Sequence, residues 1–159
     1  MHKAILAAAV LLAAPGAAQA EWSTDDLSDD IGQLLLAYSA DTGDVVEFQV
    51  VCDVALEHKL QMLVFTGEEL ARKKALGAVL PVSIRLDGAA MGPFDARAIA
   101  GDGELYLRLD EDEAGSLHHL AQSIAKASDM ELSYADSEWR FEMSGAKTAL
   151  AWLLGTCAF

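Results

Sequence analysis

Apolar and polar side chains alternate along several stretches of the chain after residue 20, and this alternation predicts β-strands. In Val45–Asp53, the apolar residues Val46, Phe48, Val50 and Cys52 fall on one face of the segment. A period of two residues is typical of a strand with one buried face. The same period, or a short apolar run, predicts further strands at Leu34–Tyr38, Lys59–Thr66, Val82–Leu86, Phe94–Ala100, Glu104–Asp110, Met130–Tyr134 and Trp139–Met143.

Turn-forming residues separate these strands. Asp, Asn, Gly and Ser favour turns because they tolerate left-handed backbone or hydrogen-bond to it locally. The glycines of Gly101–Gly103 predict a hairpin between the strands on either side. Turns are predicted at Asp41–Asp44, Asp87-Gly88, Gly101–Gly103 and Asp136-Ser137.

Two segments have the apolar spacing of a helix with one buried face. They are Glu113–Ser128 and the segment that follows Ser144. Ser144 is predicted to cap the second helix at its N-terminus, and Gly155 is a candidate for its end. A short helix over Glu68–Leu76 is predicted from the capping-box pattern of Thr66–Glu69, with a loop as the alternative. The two apolar stripes are Leu117, Leu120, Ala121, Ile124 and Ala125, and Ala146, Ala149, Leu150, Leu153, Leu154 and Cys157.

These elements predict one α+β domain over residues 21–159. Its seven or eight strands are expected to be mostly antiparallel, in a curved sheet, a sandwich or an open barrel. A mid-chain helix and a C-terminal helix are expected to complete it, and the length suffices for a single hydrophobic core.

The first twenty residues, Met1–Ala20, have the pattern of a cleavable secretory signal peptide. Lys3 gives a weakly positive start, Ala4–Ala14 is an apolar run, and Ala18-Gln19-Ala20 is the small-x-small pattern that predicts cleavage after Ala20. An uncleaved N-terminal anchor helix is the alternative, although the run is short for a membrane span. No Cys follows the run to carry a lipid, so a free product in the periplasm, or beyond the cell, is expected.

Charge narrows the classes of partner. The chain has 11 basic and 25 acidic residues, and Lys3 is the only charged residue of the leader, so the remaining 139 residues carry a formal charge of −15. Nucleic acids and anionic membranes both require a basic face, so neither is expected as a partner, and no membrane insertion is expected after cleavage. An acidic surface favours solubility and, as an alternative role, a cationic partner.

The chain has two cysteines, Cys52 and Cys157, which are predicted to form a disulfide. Cys52 lies on the buried face of a predicted strand, and Cys157 continues the apolar stripe of the last helix. An even number of cysteines in an oxidising compartment favours pairing. Two free buried thiols are the alternative.

No arrangement of residues predicts catalysis, a cofactor or a metal. His118 and His119 are adjacent on a helix, so they point about 100° apart and cannot bind one metal from one face; His58 lies elsewhere. The carboxylates of Asp110–Glu113 would suit calcium, but they precede a helix, whose N-terminus favours acids. A small envelope hydrolase or ligand binder that uses scattered carboxylates is the alternative to a non-enzymatic protein.

A candidate partner surface combines aromatic and basic residues. Trp152 and Phe159 lie off the apolar stripe of the last helix, on roughly one side, and Arg72, Lys73 and Lys74 form the only basic cluster after the leader. Exposed aromatic residues can mark an interaction site. The alternative is that the aromatic pair packs on the N-terminal segment around Trp22.

The order of these features resembles that of small periplasmic proteins of Gram-negative bacteria. The features are Trp22 before acidic residues, a strand that ends in Cys52, and the final series Phe141, Gly145, Ala149, Leu150, Leu153 and Cys157. Among them, the chain resembles the VasI-like proteins associated with type VI secretion and, more distantly, the invasion-associated locus B family. The resemblance implies a structural or accessory periplasmic role, with protein partners and without catalytic residues.

Overall fold

Ten strands form one sheet in the computed structural model of the protein, which describes residues 21–30, 32–43, 45–53, 59–69, 76–101, 104–112 and 114–157. The strands are β1 Ser23–Asp26, β2 Leu34–Ala40, β3 Glu47–Asp53, β4 Lys59–Glu69, β5 Val79–Leu86, β6 Ala89–Ala90, β7 Phe94–Gly101, β8 Glu104–Asp110, β9 Asp129–Tyr134 and β10 Ser137–Glu142. Every pairing between these strands is antiparallel, and their order in the sheet is β1-β2-β3-β4-β8-β7-β5-β9-β10, with β6 paired to β5.

The predicted α+β class is confirmed, and the sheet is open. Two strands, β1 and β6, were not predicted. Neither shows an alternation of apolar and polar residues, because β1 has four polar residues and β6 has two alanines. The last strand nevertheless approaches the first ones, because Asp41 forms an isolated antiparallel bridge with Phe141 and the Thr42 N–H donates to the Arg140 carbonyl over 2.9 Å. The two ends of the sheet therefore meet over part of their length.

The core lies on the face of the sheet that the two helices cover. Phe48 in β3 and Phe141 in β10 are fully buried, and their rings meet edge to face at a centroid distance of 6.0 Å. Trp22, just before β1, meets Phe48 in the same way at 6.1 Å. These three rings join the N-terminal segment to β3 and β10, and edge-to-face pairs add to the free energy of burial.

The helices are α1, Ser116–Ile124, and α2, Ala146–Thr156. α1 is shorter than predicted, although its apolar stripe up to Ile124 is buried as expected. The prediction that Ser144 caps α2 is wrong. Gly145 is the N-cap, with a left-handed φ of 79° and no side-chain hydrogen bond, and α2 continues through Gly155 instead of ending there.

The predicted helix over Glu68–Leu76 is also wrong at its start, because β4 extends to Glu69. The pairing of β4 with β8 shifts between Phe65 and Glu68, so Thr66 and Gly67 form a bulge. Thr66 is buried and donates its hydroxyl to the Leu105 carbonyl over 2.9 Å, and so the threonine that suggested a cap pairs across the sheet instead. Residues 70–75 lie outside the described residues.

Two tight turns contain left-handed backbone, the first at both central residues, as a type I′ hairpin requires, and the second only at Ala135, with φ of 52°. Asp87 and Gly88 have φ of 50° and 80°, which confirms the turn predicted there. The turn after β9 is formed by Ala135 and Asp136, because Ser137 already pairs with Tyr134, so the predicted turn at Asp136-Ser137 is shifted by one residue. The hairpin of β7 and β8 is confirmed, with Gly101 opposite Glu104.

The predicted leader, Met1–Ala20, lies outside the described residues. No helix among those that the structure describes is long and apolar enough to cross a membrane.

Candidate functional site

Cys52 and Cys157 form a disulfide, as predicted. Both residues are fully buried, and their Cα atoms are 6.1 Å apart although 105 positions separate them in the sequence. Cys52 reaches the interior because it lies opposite Leu35 of β2 and Leu60 of β4, both fully buried. The bond therefore fastens the end of α2 to the inner face of the sheet.

The acidic run before α1 provides hydrogen bonds for that helix. The two carboxylate oxygens of Glu111 accept from the backbone N–H groups of Leu117 and His118 at 2.7 and 2.9 Å. Asp112 accepts from the Ser116 N–H at 2.9 Å and from the Ser116 hydroxyl. The first N–H groups of a helix have no partner within it, and these acids supply one.

His118 and His119 do not face one point in space. Their ring centroids are 6.3 Å apart and their planes nearly perpendicular, and a ring nitrogen of His118 is 2.9 Å from the Gln122 amide. Within the described residues, no group of three or more His, Cys, Asp or Glu side chains is arranged to hold a metal ion. His58 lies outside them.

Only one residue of the candidate partner surface lies in the part of the chain that the structure describes. Trp152 is half-buried and packs against the core. Phe159, Arg72, Lys73 and Lys74 lie outside the described residues.

A groove of about 410 Å³ runs between β1 and α2. We call it the β1–α2 groove. Trp152 and Trp22 both line it, so the half-exposed indole of α2 lies beside the N-terminal segment. The groove is lined by Glu21, Trp22, Thr24, Gly145, Thr148 and Trp152, with two small residues between them.

Trp22 holds β1 in place at the mouth of this groove. Its indole is only 4% exposed, and its Nε1–H donates to the Glu142 carbonyl at 3.1 Å. Its backbone N–H donates to the Ser144 carbonyl at 2.9 Å. Gly145 allows this approach, since a Cβ there would lie 2.9 Å from the Trp22 carbonyl oxygen.

β1 is the terminal strand of the sheet, and in the described part of the chain it pairs with β2 alone. All four of its residues are exposed. Sequence analysis missed this strand because Ser23–Asp26 has no apolar alternation. The one available signal was Trp22, whose burial requires the following backbone to lie against the sheet.

A second groove, of about 500 Å³, follows the end of β10. Arg140 lines it and forms ion pairs with Glu131 and, at 3.6 Å, with Asp129. The hydrogen bond that the Arg140 guanidinium donates to Glu131 and the negative charge of Asp129 raise the pKa of Arg140. The guanidinium therefore stays charged, and its charge is balanced by the carboxylates of Glu131 and Asp129.

Comparison of the chain with protein-family models, with curated proteins and with solved structures found no match.

Proposed function

We propose that the protein is exported to the periplasm, loses its leader after Ala20, and acts there as a non-catalytic accessory protein that binds a protein partner. The observation that carries the proposal is the buried disulfide between Cys52 and Cys157. Such bonds persist in the periplasm and outside the cell, whereas cytosolic thiols are kept reduced.

The position of Trp22 supports cleavage after Ala20. Glu21 would be the first residue of the product, and Trp22 is already buried against Phe48 and bonded to β10. Among the described residues, burial thus begins at Trp22, one residue after the proposed start of the product.

Export and oxidation can be tested together by mass spectrometry. The full chain, with its own leader, is produced in a Gram-negative host and recovered from the periplasm. We expect a product that begins at Glu21 and gains the mass of two hydrogen atoms on reduction. A retained leader, or free thiols at both cysteines, would contradict the proposal.

Partner binding is tested by crosslinking in intact cells before the tagged protein is recovered. We expect one defined partner, and secretion-apparatus components would support the VasI-like role in particular. Trp152→Ala, and neutralisation of Arg72–Lys74, should weaken the capture while the unfolding transition stays unchanged. Recovery of abundant periplasmic proteins alone would count against the proposal.

A further inference from the structure

We infer that the β1–α2 groove binds an extended, lysine- or arginine-rich segment of the partner protein, which adds as a strand to the free edge of β1. The inference rests on the proposed function, because it identifies the surface and the chemistry by which the partner would be held.

The hydrogen-bonding pattern of β1 leaves part of its backbone free for such a strand. The Leu27 N–H donates to the Leu34 carbonyl, and the register continues through Asp25 opposite Leu36. In an antiparallel pair, hydrogen-bonded and non-bonded positions alternate. The N–H and C=O groups of Thr24 and Asp26 therefore point away from β2, towards the open edge.

Trp22, the residue just before β1, already forms a backbone hydrogen bond on the same side. Trp22 has the same orientation as Thr24 and Asp26, and its N–H donates outwards to the Ser144 carbonyl. The molecule itself therefore supplies a backbone partner on this side at Trp22, through the Ser144 carbonyl. An incoming strand would continue this pairing along Thr24 and Asp26, as in other complexes formed by strand addition.

The side chains around this edge favour a cationic segment. Asp25 and Asp26 lie on the strand, and Glu21 lies in the groove. Hydrogen bonds from the Ser28 hydroxyl and N–H lower the pKa of Asp26, so this carboxyl stays ionised. Trp152, which is half-exposed, lines the same groove, and an indole ring attracts the cationic group of a lysine or arginine.

A second copy of the same chain would be a poor occupant. Two β1 strands paired side by side would bring Asp25 and Asp26 close to the same acids of the other copy, and like charges in cross-strand pairs are destabilising. Charged side chains protect edge strands from self-association in this way. The acids thus oppose self-pairing and favour a basic partner strand.

Short synthetic peptides test the inference on the mature, oxidised protein. The probe is a peptide in which lysine and valine alternate, and its binding is measured by calorimetry at constant salt. One control replaces lysine by glutamate. A second control keeps every lysine but carries N-methyl groups on alternate amides, which removes the donors of one edge. We expect binding of the probe, none of the glutamate peptide, and an affinity lowered roughly tenfold by N-methylation.

A matched pair of variants tests the same edge from the protein side. Thr24→Pro removes the outward N–H without removing a bond to β2, whereas Thr24→Ala removes the same side chain and keeps the N–H. We expect Thr24→Pro to bind the lysine peptide roughly tenfold more weakly than Thr24→Ala does. The unfolding transition of each variant shows whether it is folded, and the N-methylated peptide gives a readout on the wild type alone.

Each outcome decides between strand addition and its alternatives. Equal binding of the two lysine peptides, or full binding by Thr24→Pro, would overturn the inference and leave only charge attraction. No binding of the lysine peptide would overturn it as well. Neither result affects the crosslinking test in cells, so a defined partner recovered there would still support the proposed function at another surface.

Discussion

At the scale of single residues, Asp41 shows how a buried acid can organise a turn. Its Oδ1 atom accepts from the N–H groups of Val45 and Val46 at 2.7 and 2.8 Å, and its Oδ2 atom accepts from Gly43 at 3.1 Å. The residue is buried because these donors replace the water that a carboxylate would otherwise require. The turn predicted here thus depends on one side chain.

We expect Asp41→Ala to lower the free energy of unfolding by about 2–3 kcal/mol, because it leaves buried N–H groups of the β2–β3 connection without an acceptor. Asp41→Asn keeps one oxygen near Oδ1 and should lose less. Denaturant titration of the three proteins measures the difference. An Asp41→Ala variant as stable as the wild type would show that water replaces the carboxylate.

Trp22 acts at the same scale, as the residue that joins β1 to the core. We expect Trp22→Ala to lower the free energy of unfolding by about 3–5 kcal/mol, the usual cost of removing a buried aromatic ring. Trp22→Phe should cost less, since it keeps the contact with Phe48 and loses the bond to the Glu142 carbonyl. Chemical denaturation gives both values, and equal losses would mean that the hydrogen bond dominates.

At the scale of elements, α1 depends on acids outside its own span. The pKa of Asp112 is lowered by the hydrogen bond from the Ser116 hydroxyl and by backbone N–H groups. A lowered pKa in the folded state means that the ionised carboxyl stabilises the fold above its unfolded pKa, and that this stability is lost as the pH falls through the folded pKa. α1 is thus expected to weaken in acid.

We therefore expect Asp112→Ala to be less stable than the wild type at neutral pH, with a difference that shrinks below about pH 4, where a free aspartate takes up its proton. Unfolding curves of both proteins at a series of pH values measure this difference. A difference that stays constant into acid would show that the carboxylate charge does not contribute.

Elements also show what the sequence could predict. The strands with a clear alternation, such as Glu104–Asp110, and the stripe of α2 were predicted because burial of one face leaves a period in the sequence. β1 and the last residues of β4 were missed, because they are held by partners distant in the sequence. Of the residues that line the β1–α2 groove, the sequence singled out Trp152 as a candidate surface residue. The groove itself was not predicted, because it depends on β1.

At the scale of the whole molecule, the bond from Cys52 to Cys157 encloses most of the domain. Closing a loop of about 100 residues in the unfolded chain is worth roughly 4.7 kcal/mol by loop-closure entropy, as an upper value. We expect Cys52→Ala and Cys157→Ala to lower the free energy of unfolding by similar amounts, since either change opens the same loop. Denaturant titration of the two variants checks this. Strongly unequal losses would point to local packing at one cysteine instead.

The same bond has a consequence for the timing of maturation. On the proposed export route the chain crosses the membrane from its N-terminus, so Cys52 arrives about 100 residues ahead of Cys157. During that interval its thiol has no intramolecular partner, and it either stays reduced or forms a mixed disulfide with an oxidant. The bond between Cys52 and Cys157 can therefore form only after α2 has crossed the membrane, which makes it one of the last steps of maturation.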